Sequence, residues 1–297
     1  MQKSTRNYQG NENQLDLLND ILPPFVKFTA LQKYYSAEEG IQVAFENNYS
    51  HWYVDLSLTS EADLFSNEKR IDCLNKIIHE KQVFPIVHGN FKSTLSSDLQ
   101  ELRRAAIEYT KKEIIIASKL SAPLIIHGGA IVEPRLVKKA KQDALTYFLE
   151  STKELQEFAK KHGVELWLEN LSNYTKNHPF YYVFTTEDEF DYILSQLPEV
   201  KFFVDIGHLN IGNTNIYEII NRFIHRIVGF SISNNNGTQD QHISLERGTI
   251  DYTRIFQELS KLNWSGYIGV EIRDNTPKEA LEEIKQLYQK MRCPNAA

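Results

Sequence analysis

Short apolar runs alternate with longer amphipathic segments along most of this chain. Eight runs are dense in Ile, Val, Leu and Phe: 25–31 (FVKFTAL), 51–58 (HWYVDLSL), 83–91 (VFPIVHGNF), 122–129 (APLIIHGG), 164–170 (VELWLEN), the start of 200–212 (VKFFVDIGHLNIG), 227–233 (IVGFSIS) and 266–274 (GYIGVEIRD). Runs this short and this apolar read as strands buried on both faces, the habit of parallel sheets. Each is followed by a segment of helical period: 36–48, 67–81, about Ser97 to Leu120, about Pro134 to His162 with Gly163 as its stop, 185–197, 216–226, 251–262 and 276–292.

Eight βα units in about 270 residues predict an α/β fold, a single-domain (β/α)8 TIM barrel over 23–297, preceded by a polar lead-in at 1–22. A doubly wound open sheet is the alternative, and the unit count of eight favours the barrel. With 297 residues, 41% of them hydrophobic, the chain can bury a core of that size.

Charge and cysteine content narrow the function classes. The formal net charge is −6, so the chain has no general attraction for nucleic acid or an anionic membrane. No apolar run approaches the roughly 20 residues that cross a bilayer, and the first residues lack the apolar core of a secretory signal. Cys73 and Cys293 stand far apart without a CxxC pattern. That argues against a disulfide framework and fits a reducing cytoplasm.

The polar residues gather at one place in the pattern. In a TIM barrel the active site lies at the C-terminal ends of the strands. The third run ends on His88 and the fourth on His127. The fifth ends on Glu169 and Asn170, and the sixth on Asp205 and His208. Asp240 and His242 follow the seventh, and the eighth ends on Glu271, Arg273 and Asp274. Four of the nine histidines fall at this rim. Singly, each residue has an ordinary explanation; Asp205, for example, reads equally well as a cap for the next turn. Together, Glu169, Asp205 and Glu271 would cost several kcal/mol each if buried unpaired. A divalent cation neutralises such a cluster. Mixed carboxylates and imidazoles suit Mn²⁺, Zn²⁺ or Co²⁺ rather than Ca²⁺.

The segments IVHGNF, LIIHGG, LWLENL, VDIGHL, DQH…RGTID and GVEIRD resemble, in order and spacing, the xylose isomerase-like TIM barrels. That superfamily includes sugar (phosphate) isomerases and epimerases and the AP endonuclease family 2, endonuclease IV. The resemblance implies a core metal site at Glu169, Asp205 and Glu271 with a histidine on the seventh strand. The endonuclease would add His88, His127, His208, Asp240 and His242 and hold three zinc ions. One strand departs from the pattern: Ser231 stands where the histidine is expected, and Asn234 where an aspartate is expected. A hydroxyl is a poorer ligand than an imidazole, which shifts the expected ion toward Mn²⁺ or Mg²⁺.

These residues lead to a metal-dependent isomerase or epimerase of a small sugar or sugar phosphate. Glu169 and Glu271 would exchange the proton, with His208 holding a substrate oxygen or the metal-bound water. Arg247 or Arg273 would meet an anionic group, and Asn170 and Ser231 are further candidates for binding the substrate. The aromatic loop of Tyr174, His178, Phe180, Tyr181 and Tyr182 reads as a lid or as a loop packed by its own rings. The alternatives are an endonuclease IV-like phosphodiester hydrolase, a related enolate-forming lyase or dehydratase, and a metal-depleted binding protein. No basic cluster follows the strands, which argues against a DNA partner. The sequence leaves a homo-oligomer open.

Overall fold

The computed structural model describes residues 26–30, 35–132, 135–174 and 178–292. The lead-in at 1–22, Cys293 and Pro134 lie outside the described residues. Eight parallel strands close into a barrel: β1 (Val26–Ala30), β2 (His51–Asp55), β3 (Phe84–His88), β4 (Leu124–His127), β6 (Leu166–Glu169), β8 (Lys201–Asp205), β9 (Ile227–Ile232) and β10 (Gly266–Val270). Their order around the barrel follows the chain, and β1 closes on β10. The expected barrel is therefore the fold, and the open sheet is excluded by that closure.

Helices follow the strands and pack outside them. The apolar period of each helix buries one stripe, such as Ile71, Leu74 and Ile78 of Glu68–Lys81. Inside the barrel, Tyr53, Ile86, Ile125, Trp167 and Phe203 form a separate packed layer. The Trp167 and Phe203 rings stack at 5.7 Å and 6°. Gly269 makes room for this layer, because a Cβ there would stand 2.1 Å from the Tyr53 hydroxyl.

Two features were not visible in the apolar pattern. Two-residue strands β5 (Ala130–Ile131) and β7 (Tyr181–Tyr182) pair antiparallel, tying the loop after β4 to the loop after β6. Two residues are too few to show a period. A one-and-a-half-turn helix, Ile206–Ile211, starts directly from β8. Its first turn was hidden because its apolar residues continue the run of the strand.

The strand register places the site. Asp55 pairs with His88, His127 with Glu169, and Asp205 with Ser231. Each pair lies at the same end of the barrel, where adjacent strands leave side chains as direct neighbours.

Candidate active site

A cavity of about 390 Å³ opens at the C-terminal end of the barrel, lined by His88, His127, Glu169, His208, Asp240, His242, Glu271 and Arg273 among others. Seven of the eight predicted metal-ligand positions therefore face one space. The eighth, Asp205, is buried just outside that lining, 3.6 Å from His208.

The ligand-type atoms stand close together. His127 Nε2 lies 3.5 Å and His88 Nε2 3.8 Å from Glu169 Oε2. Atoms that share an ion at about 2.0–2.1 Å stand roughly 3.3–3.5 Å apart. Two groups of this kind occur among the described residues, His88–His127–Glu169 and Glu169–Asp205–His208, with Glu169 in both. Asp240 Oδ2 forms a third junction, 2.9 Å from His242 Nε2 and 3.4 Å from His208 Nε2.

Hydrogen-bond accounting supports a cation among these groups. His208 Nδ1 lies 2.8 Å from the Asn170 carbonyl, and His242 Nδ1 lies 3.0 Å from the Glu271 carbonyl. A carbonyl only accepts, so each Nδ1 carries the proton. Each Nε2 then meets a carboxylate, which also only accepts. Either both rings are imidazolium or a cation takes the Nε2 lone pairs. A ring nitrogen anchored on a backbone carbonyl is the usual support for a metal-binding histidine. Glu169 Oε2, Asp205 Oδ2, Asp240 Oδ1, Glu271 Oε1 and both His88 and His127 Nδ1 are buried without a hydrogen-bond partner. Orphaned buried polar atoms are costly, and a bound ion satisfies the oxygens among them.

The electrostatics reflect the same crowding. Burial and the nearby carboxylates push Asp205 up to about 7, against the pull of His208. Burial opposes the charge on His88, yet Asp55 and Glu169 carry that ring up to about 9. Burial also raises Asp55, but the His88 imidazole 3.6 Å away and the Ser57 N–H together hold the acid at about 2. Glu271 is raised by burial and by the Glu169 charge.

Asp205 is a helix cap at the edge of the cavity. Its Oδ1 accepts the His208 N–H at the start of the Ile206–Ile211 helix, while Oδ2 stays free of partners. Asn170 lies outside the cavity lining. Its amide grips the Asp205 backbone, accepting its N–H at 2.8 Å and donating to its carbonyl at 3.0 Å. Ser231 is fully buried between Asp205 and Gly269 in the register, and its hydroxyl has no partner. Arg247 is not at the cavity: its exposed guanidinium pairs with Asp274 at 2.7 Å. Asn234 does not face the cavity either. Its amide donates to the Ile250 carbonyl at 3.1 Å and accepts the Ile250 N–H at 3.0 Å. An aspartate lacks the donor for that staple.

The sequence reading missed Asp55, Phe91 and Lys92, all in the cavity lining. Asp55 ends β2 and obeys the strand-end rule that found the others. Phe91 and Lys92 sit in a loop whose path only the fold sets. Of the aromatic loop, Tyr174 and Tyr182 reach the cavity. Tyr174 also stacks on His178 at 4.3 Å.

Residues 39–290 match the sequence profile of the family described as xylose isomerase-like TIM barrel. The chain belongs to that family. Several proteins resemble it at low identity. An uncharacterized protein of Methanocaldococcus jannaschii is 28% identical over 57% of this chain and 62% of its own length. The chain thus spans less than two thirds of that relative. A 2-oxo-tetronate isomerase of Pectobacterium atrosepticum is 27% identical over 73% of this chain and 82% of its own. Among solved structures, a D-tagatose 3-epimerase-like protein superposes with a TM-score of 0.77 at 22% identity, covering 91% of this chain and all of that one. The IOLI protein with a binding zinc atom superposes with a TM-score of 0.72 at 14% identity, covering 90% and 98%. These structures share the barrel fold.

Proposed function

We propose that this protein is a divalent-metal-dependent isomerase or epimerase of a small sugar carrying an anionic group. The observation that carries the reading is the ring of buried, unpartnered carboxylates and imidazoles around one sugar-sized cavity. The printed names of the relatives, 2-oxo-tetronate isomerase and putative L-ribulose-5-phosphate 3-epimerase, agree with it.

His88, His127, Glu169, Asp205 and His208 would hold the metal, with Asp240 and His242 as further ligands. When bound, a divalent ion would draw charge from a substrate's carbonyl and hydroxyl oxygens and ease loss of the neighbouring proton. Glu169 and Glu271 rise from strands separated by two others, so they flank a substrate seated in the mouth. One carboxylate would take the proton and return it to the adjacent carbon, or the other, entering protonated, would give its own proton to the opposite face. His208, anchored on the Asn170 carbonyl, presents Nε2 to the cavity side. Lys92 and Arg273 line the same cavity and would meet a phosphate or carboxylate on the substrate. Tyr174 and Tyr182 would cover the sugar and exclude water.

A phosphodiester hydrolase is the second reading, favoured by the two ligand groups that share Glu169. Metal analysis together with solvent-exchange NMR separates the two. An isomerase with one bound Mn²⁺ or Zn²⁺ exchanges a carbon-bound proton of a keto sugar or 2-oxo acid sugar with D₂O, and Glu169→Gln abolishes it. Three zinc ions with cleavage of abasic DNA, and no exchange, would sink the isomerase.

A further inference from the structure

The opposite end of the barrel holds a second hollow, of about 330 Å³, which the reading above does not use. Ligand pockets start at about 300 Å³, so it suits a compact molecule. Its lining comes from the N-terminal ends of four strands: Lys27 of β1, Lys201 of β8, His225 and Arg226 before β9, and Ser265 to Tyr267 at β10. Four of these side chains are basic types, and no Asp or Glu is among them.

This concentration is unexpected in a chain of net charge −6. Lysines elsewhere are commonly paired, as Lys111 is with Glu154 and Lys160 with Glu199. Lys27 and Lys201 make no ion pair with another described residue; Lys27 Nζ instead stands 5.1 Å over the Tyr267 ring. Glu165, which the strand register brings to this end, accepts the Trp167 indole N–H and is not in the lining. Arg226 is held rigid by three carbonyls, from Leu194, Leu197 and Val200. Its Nε is buried with no partner. Positive groups gathered in a concavity repel one another and raise the local potential until an anion enters.

We propose that Lys27, Lys201, His225 and Arg226 form an anion site at the N-terminal end of the barrel, which takes a small polyanion of the phosphate type. The two ammonium groups and the Arg226 guanidinium supply charge, and the Ser265 hydroxyl and His225 ring supply further hydrogen-bonding groups.

The test is calorimetric titration of the metal-loaded full chain with pyrophosphate, at ionic strength held constant with sodium chloride. Three proteins are compared: wild type, a Lys27→Gln/Lys201→Gln variant of the floor, and a Lys92→Gln/Arg273→Gln variant of the mouth. Both floor lysines reach solvent, so the substitutions spare the core. The expected result is a pyrophosphate site that the mouth variant keeps and that weakens tenfold or more in the floor variant, whether or not the mouth binds a second pyrophosphate. Binding equal in wild type and floor variant, or no binding beyond the chloride control, overturns the proposal. Failure of the isomerase reading would leave the result unchanged, because no turnover is measured.

Discussion

Asn170 clamps Asp205 by both of its backbone polar groups, accepting the Asp205 N–H at 2.8 Å and donating to its carbonyl at 3.0 Å. The two residues end neighbouring strands, and the Asn170 carbonyl also fixes His208. One amide thus aims two of the proposed ligands. Asn170→Leu leaves the buried Asp205 N–H without this partner, at about 1–3 kcal/mol, and takes a bond of about 1 kcal/mol from its carbonyl. Urea denaturation should show a loss of about 2–4 kcal/mol, and metal affinity should fall with it. Wild-type affinity in a folded Leu variant would refute the positioning role.

Removal of metal should cost stability. An ion bound at 100 times its dissociation constant adds about 2.7 kcal/mol. Dialysis against a chelator should lower the melting temperature, and Zn²⁺ or Mn²⁺ should restore it. Glu169→Gln should blunt that response, since Glu169 belongs to both ligand groups. A melting temperature indifferent to chelation and to added metal would count against the site.

Ser231 occupies a fully buried position beside Asp205. Ser231→His adds an imidazole to a carboxylate-lined mouth, and imidazole is a preferred zinc ligand. Competition with a chromophoric chelator should report zinc bound at least about tenfold more tightly. Unchanged zinc affinity would mean that no ion sits within reach of β9.

Glu113, on the Gln100–Lys119 helix, is buried and accepts the Asn90 N–H at 2.7 Å. Burial pushes its carboxyl up to about 7 from an ordinary 4.5. Between those two values the folded state keeps a proton that the unfolded chain has released. Its contribution is therefore full at low pH and lost as pH rises through 7. Relative to Glu113→Gln, the wild type should lose about 3 kcal/mol between pH 4.5 and 7. Parallel stability curves for the two proteins across that window would contradict the shift.

Gly269 leaves room for the Tyr53 hydroxyl, which would lie 2.1 Å from an added Cβ. Gly269→Ala should cost about 1–3 kcal/mol by crowding the Tyr53 and Phe203 rings. Glycine-to-alanine substitution at Gly163, where nothing lies within 4 Å but φ is +69°, separates crowding from backbone strain. Thermal melts that rank the two equally would put the loss at Gly269 down to something other than the Tyr53 contact.

Local pattern was enough to place the eight strands, and with them His88, His127, Glu169 and Asp205 as the last residues of β3, β4, β6 and β8. A strand buried on both faces needs an unbroken apolar run, so the first polar residue after it marks the end that faces the mouth. The sequence also showed that β9 carries Ser231 in place of an imidazole. Tertiary structure decided what no run of residues encodes. It separated Arg247, drawn onto Asp274, from Arg273 in the cavity lining. It turned Asn170 inward as a clamp and brought Lys92 and Tyr182 to the mouth through loops and a two-residue strand pair. It also gathered Lys27, Lys201 and Arg226 at the other end. Apolar burial leaves its period in the sequence, whereas the contacts of polar side chains depend on which distant strands become neighbours when the barrel closes.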